Sequence, residues 1–229
     1  RLSSGTCMDC SRTRLRSSRK PVHDESLSQE IKPMADFPDT GDVAIFFHGA
    51  TLVLAFNADD VYSSLVGDID VEKLRRLLEN PDTLKLCHDI KGLKYILNEL
   101  DIKIAGHVFD VQMVHYLVDP EARHSIEFIC SGILGFEPSN PLESASVMWQ
   151  LYPRLAASMA DCGVSSLYYD VELPLVDVLI SMEEEGVKID VQALREYSTR
   201  LSAERNELES EIFALAGVSF NISSTKQLG

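Results

Sequence analysis

The feature that most constrains the fold is an alternation of short apolar runs with amphipathic helical patterns between residues 43 and 118. The runs "DVAIFF" and "TLVLAF" are joined by His48-Gly49-Ala50 and predict a hairpin of buried strands. The helical pattern "DVEKLRRLLENP" is followed by a strand-like "TLKLCH". A second helical pattern, "IKGLKYILNELD", precedes the extended "IKIAGHVFD" and a further helix, "VQMVHYLVDP". Strands that alternate with helices indicate an α/β layered domain.

Beyond about residue 122 the pattern becomes wholly helical. The last and longest of these helices is predicted between Asp190, a good N-cap, and Gly217, a good C′ residue. It is expected to be about 40 Å long. A two-faced helix of this length usually packs on a neighbour. Its apolar stripe consists of Leu194, Tyr197, Leu201, Leu208, Ile212 and Leu215.

The charge balance argues against a chain that binds nucleic acid through its overall charge. The formal net charge is −15, although residues 1–34 carry seven Lys and Arg against four Asp and Glu. Binding to phosphate needs clustered cations, so only local phosphate contacts remain plausible. No apolar run approaches the roughly 20 residues that span a membrane, and no secretory signal is present, which predicts a soluble chain.

Residues 1–40 are rich in Ser, Arg, Pro and Asp and are predicted to be a disordered tail or linker. Within it, Cys7 and Cys10 form a C-x-x-C pair, but no second pair follows at a spacing that would complete a zinc site. The odd number of cysteines, five, favours a reducing compartment. The sequence begins without Met and stops at "STKQLG", so we expect it to be a piece of a longer protein.

Three segments near the C-terminus closely resemble the start of the polymerase region of family A DNA polymerases of the bacterial DNA polymerase I type. They are "ELPLVDVLISMEEEGVKID" (Glu172–Asp190), the long helix ending in "ALAG", and "FNISSTKQLG" (Phe220–Gly229). Upstream, "KLCHDIKGLKYILNELDIKIAGHVFDVQMVHYLVDP" resembles the middle of the 3′–5′ exonuclease domain of that family. The resemblance implies an RNase H-like α/β domain over residues 41–163. The N-terminal part of the polymerase domain, at the base of the thumb, would then occupy residues 164–229.

Proofreading exonucleases of this family hold two metal ions with four carboxylates, which come from D-x-E, N-x-x-x-D and Y-x-x-x-D motifs. No D-x-E precedes "DVAIFF", so the first strand is expected to be missing or rewritten. In the second motif the Asn falls on Asp89 and the Asp falls on Leu93; in the third, the Tyr falls on Asn140 and the Asp on Ser144. The resemblance therefore implies an exonuclease fold without catalytic or metal-binding residues.

The remaining acids and histidines near these motifs have simpler structural interpretations. Asp89 and Asp110 each stand where a helix begins and are predicted to be N-caps. Leu93 is expected to be buried, because apolar volume is the natural filling for a lost metal site. His88 and His115 are interpreted as structural, with no chemistry assigned to them.

The resemblance implies that this piece contributes to DNA binding in a polymerase acting in replication and repair. The palm motifs, with the Mg²⁺ that they would hold, lie beyond Gly229, so no cofactor is expected in this chain. The partners implied are primer-template DNA and deoxynucleotides, for a monomer in the bacterial cytoplasm with no membrane contact. The start of the last helix is a candidate site for DNA phosphate. The alternative, that Ser223 merely caps this helix and Lys226 is solvated, has equal weight. The candidate DNA-binding residues are Asn221, Ser223, Ser224, Thr225 and Lys226.

Two other classes of function remain open from the sequence. One is an active nuclease whose metal ligands come from elsewhere, such as Asp59 and Asp60 in "NADDVY", although this stretch is more simply a loop. The other is a free-standing helical interaction module, which the strand-rich stretch at residues 43–87 argues against.

Overall fold

The computed structural model describes residues 32–33 and 36–228, and its centre is one mixed six-stranded sheet. The predicted hairpin is confirmed: β2 and β3 pair antiparallel around a turn at Gly49 and Ala50, with Gly49 at φ 60°. The sheet order is β1-β4-β3-β2-β5-β6, in which β5 and β6 run parallel to β2. The strands are β1 (Lys32–Pro33), β2 (Val43–His48), β3 (Thr51–Ala55), β4 (Val61–Leu65), β5 (Leu84–Cys87) and β6 (His107–Asp110).

The helices follow the predicted pattern closely. The long helix begins after Asp190, whose side chain accepts from the N–H of Ala193, and it ends at Gly217 in the left-handed conformation, so both predicted ends are confirmed. A π-helical turn, Tyr168–Glu172, connects two helices of the series. The helices are α1 (Val71–Leu78), α2 (Ile90–Glu99), α3 (Val111–Val118), α4 (Ile126–Ile133), α5 (Pro141–Asp161), α6 (Ser165–Leu167), α7 (Leu173–Glu185), α8 (Val191–Ala216) and α9 (Thr225–Leu228).

Two strands, β1 and β4, were not predicted: β1 lies in the predicted tail and pairs with β4. The two serines of β4, Ser63 and Ser64, interrupt the apolar pattern, yet β4 pairs along its whole length with β3. The turn before it contains Asp59 and Asp60, whose N–H groups both donate to the side-chain oxygen of Asn57. The interpretation of "NADDVY" as a loop is therefore confirmed for residues 57–60, whereas Val61 and Tyr62 belong to β4.

The segment predicted to be a linker reaches into the described residues at its C-terminal end. Phe37 is buried, with 1% of its surface exposed, and its ring lies edge-on to that of Tyr62 at 6.5 Å. The folded domain therefore includes residues before position 41. The predictions for Cys7 and Cys10, and the tail prediction as far as residue 31, concern residues that lie outside the described part of the chain.

The sheet separates two apolar cores because successive side chains of a strand point to opposite faces. Along β2, Val43 and Ile45 enter one core while Ala44 and Phe46 enter the other. The first core is covered by α1, α2 and α7, and the second by α3, α4 and α5. This arrangement of helices on both faces positions the ends of β2 and β5 between α2 and α3.

The chain divides into two compact units, one up to Glu183 and the other from Glu184 onward. Most of α7 belongs to the first unit, because Val176 and Ile180 are buried in its first core. The predicted boundary at residue 163 instead assigned this helix to the polymerase part. In the second unit, no residue of α8 is buried, and its predicted apolar stripe is exposed from Leu194 to Leu215.

Within the described residues, no helix is both long and apolar enough to cross a bilayer.

Candidate functional site

A cleft of about 320 Å³ opens at the carboxyl ends of β2 and β5. Such strand ends are where open α/β sheets usually hold their ligands. The end of β2 supplies aromatic and aliphatic side chains to the cleft. That the strand carrying the D-x-E acids is missing or rewritten stays a prediction. The lining residues are Ile45, Phe46, Phe47, Gly49, His88, Asp89, Gly92, Leu93, Ile96 and Gln112.

Asp89 lies in this cleft and caps α2, as predicted. Its backbone adopts the left-handed conformation at φ 63°, and its Oδ1 accepts from the N–H of Gly92 at 3.0 Å. A Cβ at position 92 would collide with the Asp89 carboxylate, so the cap requires glycine there. The carboxylate of Asp89 is therefore held in place by the helix that it starts.

Leu93 is buried with 4% of its surface exposed, which confirms the prediction for this position. It stands one turn into α2 and belongs to the same core as Leu97, Val176 and Ile180. One wall of the cleft is consequently an apolar side chain fixed by packing, at the position where the resemblance implied an acid in active relatives.

Asp110 caps two helices at once, whereas the sequence predicted only the cap of α3. Its Oδ1 accepts from the N–H groups of Gln112 at 2.8 Å and Met113 at 3.2 Å, and its Oδ2 accepts from the N–H of Ile90 at 2.7 Å. Burial raises the pKa of this carboxyl, while these hydrogen bonds and the nearby His88 act in the opposite direction. Asp110 thereby joins the starts of α2 and α3.

Tyr168 completes this junction, and sequence reasoning missed it. The side chain is fully buried; its hydroxyl accepts from the N–H of Asp110 at 2.8 Å and donates to the carbonyl of Val108 at 3.2 Å. Burial is the main cause that raises the pKa of this phenol. The only sequence signal is the pair of tyrosines in "YYDVE", which is too weak to predict a buried link to β6.

His88 and His115 both have structural partners, in agreement with their interpretation. His88 Nε2 donates to the carbonyl of His124 at 2.9 Å, and the Nδ1 atoms of His115 and His124 lie 2.8 Å apart. The His88 ring stands 6.2 Å from that of Phe46 at the edge of the cleft.

The positions that matched the third motif serve the start of α5. Asn140 accepts from the N–H groups of Leu142 and Glu143, both at 3.0 Å. Ser144 is buried, and its hydroxyl donates to the carbonyl of Asn140 at 3.1 Å. The side chains of Asn140 and Ser144 thus both form hydrogen bonds within the first turn of α5.

Over residues 32–33 and 36–228, no group of three or more His, Cys, Asp and Glu side chains has an arrangement that could hold a metal ion.

The five candidate DNA-binding residues come together in one turn of the second unit. Asn221 Oδ1 accepts from the N–H of Ser223 at 3.0 Å, and the Asn221 N–H donates to Gln227 Oε1 at 2.8 Å. This turn leads directly into α9. Ser223, Thr225 and Lys226 are exposed, and Ser224 is half-buried.

The domain that contains the cleft is similar in sequence to known proteins. The family described as "DNA polymerase I, ribonuclease H-like domain" matches residues 48–132. The chain is 32% identical over 161 residues to the thermostable DNA polymerase I of Thermus thermophilus, and 30% identical over 154 residues to that of Caldicellulosiruptor bescii. These matches cover 67% and 64% of this chain but only 19% and 18% of the relatives, so the chain spans about a fifth of their length.

Solved structures show the same fold. The POL domain of Pol1 from M. smegmatis, in complex with DNA primer-template and dNTP, superposes with a TM-score of 0.62 at 21% identity, covering 78% of this chain and 33% of that one. Brucella melitensis NrnC bound to pGG gives a TM-score of 0.53 at 16% identity, covering 67% of this chain and 90% of that one. The predicted RNase H-like α/β fold class is confirmed.

Proposed function

We propose that this chain, which belongs to the bacterial DNA polymerase I family, serves a DNA-directed DNA polymerase as a scaffold and DNA-contacting part, without nuclease chemistry of its own. The observation that carries the proposal is the buried Leu93 in the cleft wall, where the family resemblance implies a metal-binding acid. Hydrolysis by two metal ions requires carboxylates that are free to coordinate them.

The acids near the cleft do not fit a two-metal site. Asp89 already accepts from the N–H of Gly92, and all three hydrogen bonds to Asp110 come from backbone N–H groups at helix starts. Freeing these oxygens for a cation would leave helix donors without an acceptor, at a cost of about 1–3 kcal/mol each. Divalent cations such as Mg²⁺ favour several oxygen ligands, which this apolar wall does not supply.

The scaffold role is supported by the contacts that α2 makes with α7. Lys91 Nζ lies 2.8 Å from Glu183 Oε1, Tyr95 donates to Glu183 Oε2 at 2.5 Å, and Lys94 Nζ lies 2.5 Å from Asp177. The hydrogen bonds from Lys91 and Tyr95 lower the pKa of Glu183. Beneath these polar contacts, Leu93 shares a core with Val176 and Ile180. The helix that, by the family resemblance, would carry one catalytic acid in active enzymes would thus support the helix leading out of the domain.

The chain is expected not to shorten DNA from its 3′ end. The purified protein is incubated with 5′-labelled single strands and either Mg²⁺ or Mn²⁺, and product lengths are read on a sequencing gel, beside a proofreading-competent polymerase as the positive control. Metal-dependent shortening that disappears in Asp89→Ala would contradict the proposal and favour the alternative of an active nuclease.

The two alternative functions find less support. Asp59 and Asp60 lie in the β3–β4 turn and are not among the residues that line the cleft. The alternative of a helical interaction module does not fit, because the first unit is built on a six-stranded sheet.

The proposed DNA contact is made by the turn at residues 221–226. Hydroxyl and ammonium donors from Ser223, Thr225 and Lys226 are exposed there, in a turn that Asn221 holds closed. Such donors suit phosphate oxygens, and phosphate contacts position a duplex without reading its sequence. Primer-template DNA and deoxynucleotides would be the partners of the whole polymerase. Its Mg²⁺ would be held by a palm outside this chain, and its place would be the bacterial cytoplasm, as a monomer.

Replacing Lys226 by Ala in the complete polymerase is expected to weaken duplex binding by a similar factor on unrelated sequences. Loss of one phosphate contact should also reduce the slope of log affinity against log salt by about one. Binding is measured by fluorescence anisotropy over a series of salt concentrations. Lys188→Ala, which removes another exposed lysine of the second unit, is the matched control and should change neither quantity. Unchanged affinity and slope for Lys226→Ala would remove this residue from the interface.

A further inference from the structure

Two histidines meet at the end of α3. The Nδ1 atom of His115, on α3, lies 2.8 Å from the Nδ1 atom of His124, in the loop before α4. Their rings cross at 67° with centroids 5.1 Å apart, and the His124 ring also lies edge-on to Tyr116 at 5.5 Å. Both side chains are half-buried. The short distance between the two Nδ1 atoms therefore shows a direct hydrogen bond between the imidazole rings of His115 and His124.

A hydrogen bond between two imidazole nitrogens requires one proton between them. In the neutral pair, one Nδ1–H donates and the other Nδ1 accepts. A first additional proton can be taken at the outer nitrogen of the donor ring, which still donates. A second must go to the accepting Nδ1, and it removes the acceptor. The closed pair can thus carry a single positive charge, whereas two separated histidines can carry two.

The surroundings reinforce this limit. Burial is the main cause that lowers the pKa of His115, and the charge on His124 lowers it further, while Asp119 raises it. The titratable groups that act on the pair are Asp119 in the loop after α3, Tyr116 on α3, and His88 across the loop. His88 in turn faces the charge of Asp110 at the start of α3.

The pair is connected to the cleft through one hydrogen bond. The carbonyl of His124 accepts from His88 Nε2 at 2.9 Å, and His88 lines the cleft beside Phe46. Movement of the loop at His124 would remove the acceptor that orients the His88 ring. The hydrogen bond between His115 and His124 would therefore also hold the His88 ring in place at the side of the cleft.

We propose that His115 and His124 form a pH-sensitive latch, which holds the loop at residues 119–125 closed near neutral pH and releases it, together with His88, in mildly acidic solution. The sign follows from proton binding. The open form takes its second proton with an ordinary histidine pKa of about 6.5, and the closed form does not. The latch is closed well above that pH. Below it, where the closed pair holds one added proton and the open form holds two, each further unit of pH raises the ratio of open to closed forms about tenfold.

Hydrogen exchange of the loop tests the latch. Exchange of peptides covering residues 119–125 is followed by mass spectrometry between pH 7.5 and pH 5.0, and rates are corrected for the intrinsic pH dependence of amide exchange. Protection is expected to fall by at least about tenfold over this range. In His115→Asn, a side-chain amide that does not titrate replaces the imidazole, and the pH dependence should be lost. His107→Asn removes an exposed histidine of β6 and should behave as the unmodified protein.

Ring-proton NMR supplies a second measurement that does not depend on a substitution. Because burial lowers the pKa of His115, its ring is expected to titrate at a more acidic pH than a free histidine, whose pKa is about 6.5. Loop protection that stays constant from pH 7.5 to pH 5.0 would overturn the proposal. So would a His115 ring that titrates at the pH of a free histidine.

Discussion

Leu93→Asp is expected to lower the free energy of unfolding by roughly 3–5 kcal/mol at pH 8, because it places a carboxylate in a packed apolar site without a partner. Leu93 is 4% exposed and packs among Leu97, Val176 and Ile180, so the new charge would lose its hydration. Stability is measured by urea denaturation, followed by circular dichroism. The loss should be smaller at pH 4 than at pH 8, because the buried acid becomes neutral as the pH falls through its raised pKa.

Leu93→Asn and Leu93→Met separate the causes of this loss. Asn has the size and polarity of Asp without its charge and should destabilise less at pH 8, with little dependence on pH. Met keeps the apolar volume and should cost less than about 1.5 kcal/mol. A transition for Leu93→Asp that matches the unmodified protein would mean that water reaches this side of the cleft, and the argument for an apolar wall would fail.

The second large effect is expected for Asp110→Leu, which removes the acceptor of three backbone N–H groups. Leaving Ile90, Gln112 and Met113 without it should cost roughly 3–7 kcal/mol. The buried donor of Ile90 should cost about 1–3 kcal/mol, and the two part-buried donors about 1–2 kcal/mol each. Hydrogen exchange at the first turns of α2 and α3 should increase together in this variant, because one carboxylate caps both helices. Chemical denaturation gives the magnitude, and exchange gives the location.

Asp70→Ala is the matched comparison for Asp110→Leu. Asp70 caps only α1, through an exposed hydrogen bond to the N–H of Lys73, so its loss should cost about 1 kcal/mol. If Asp110→Leu destabilises the protein no more than Asp70→Ala, or if only α3 becomes less protected, then the double cap contributes little and the junction has been misjudged.

The fold was largely predictable because its main elements are local. The hairpin, the amphipathic helices and the caps at Asp89, Asp110 and Asp190 follow from spacing within about ten residues, and the family resemblance is confirmed by similarity to bacterial DNA polymerases I. Strand β4 was missed because a strand with two serines is stabilised by its neighbour β3 rather than by its own apolar pattern. Pairing of this kind is not visible in a single segment.

The candidate site was predictable only in part. The capping role of Asp89 and the burial of Leu93 followed from the motif positions and from the chemistry of those residues. The link from Tyr168 to Asp110 joins residues that are 58 positions apart, and the second cap by Asp110 reaches back 20 positions to Ile90. Such contacts depend on which elements become neighbours in the sheet, so residue type alone could not predict them.

The packed side chain at position 93 also bears on evolutionary reversibility. A lineage that regained an acid there would first pass through a protein weakened by the charge, before the remaining ligands existed to make the acid useful. Asp89 and Asp110 could not serve as ligands instead, since they are needed where they are to start α2 and α3. Under the function proposed for this chain, substitutions in the cleft would therefore remove metal-binding acids more easily than they would restore them. The domain would keep its shape under selection for stability while its ancestral chemistry became progressively harder to restore.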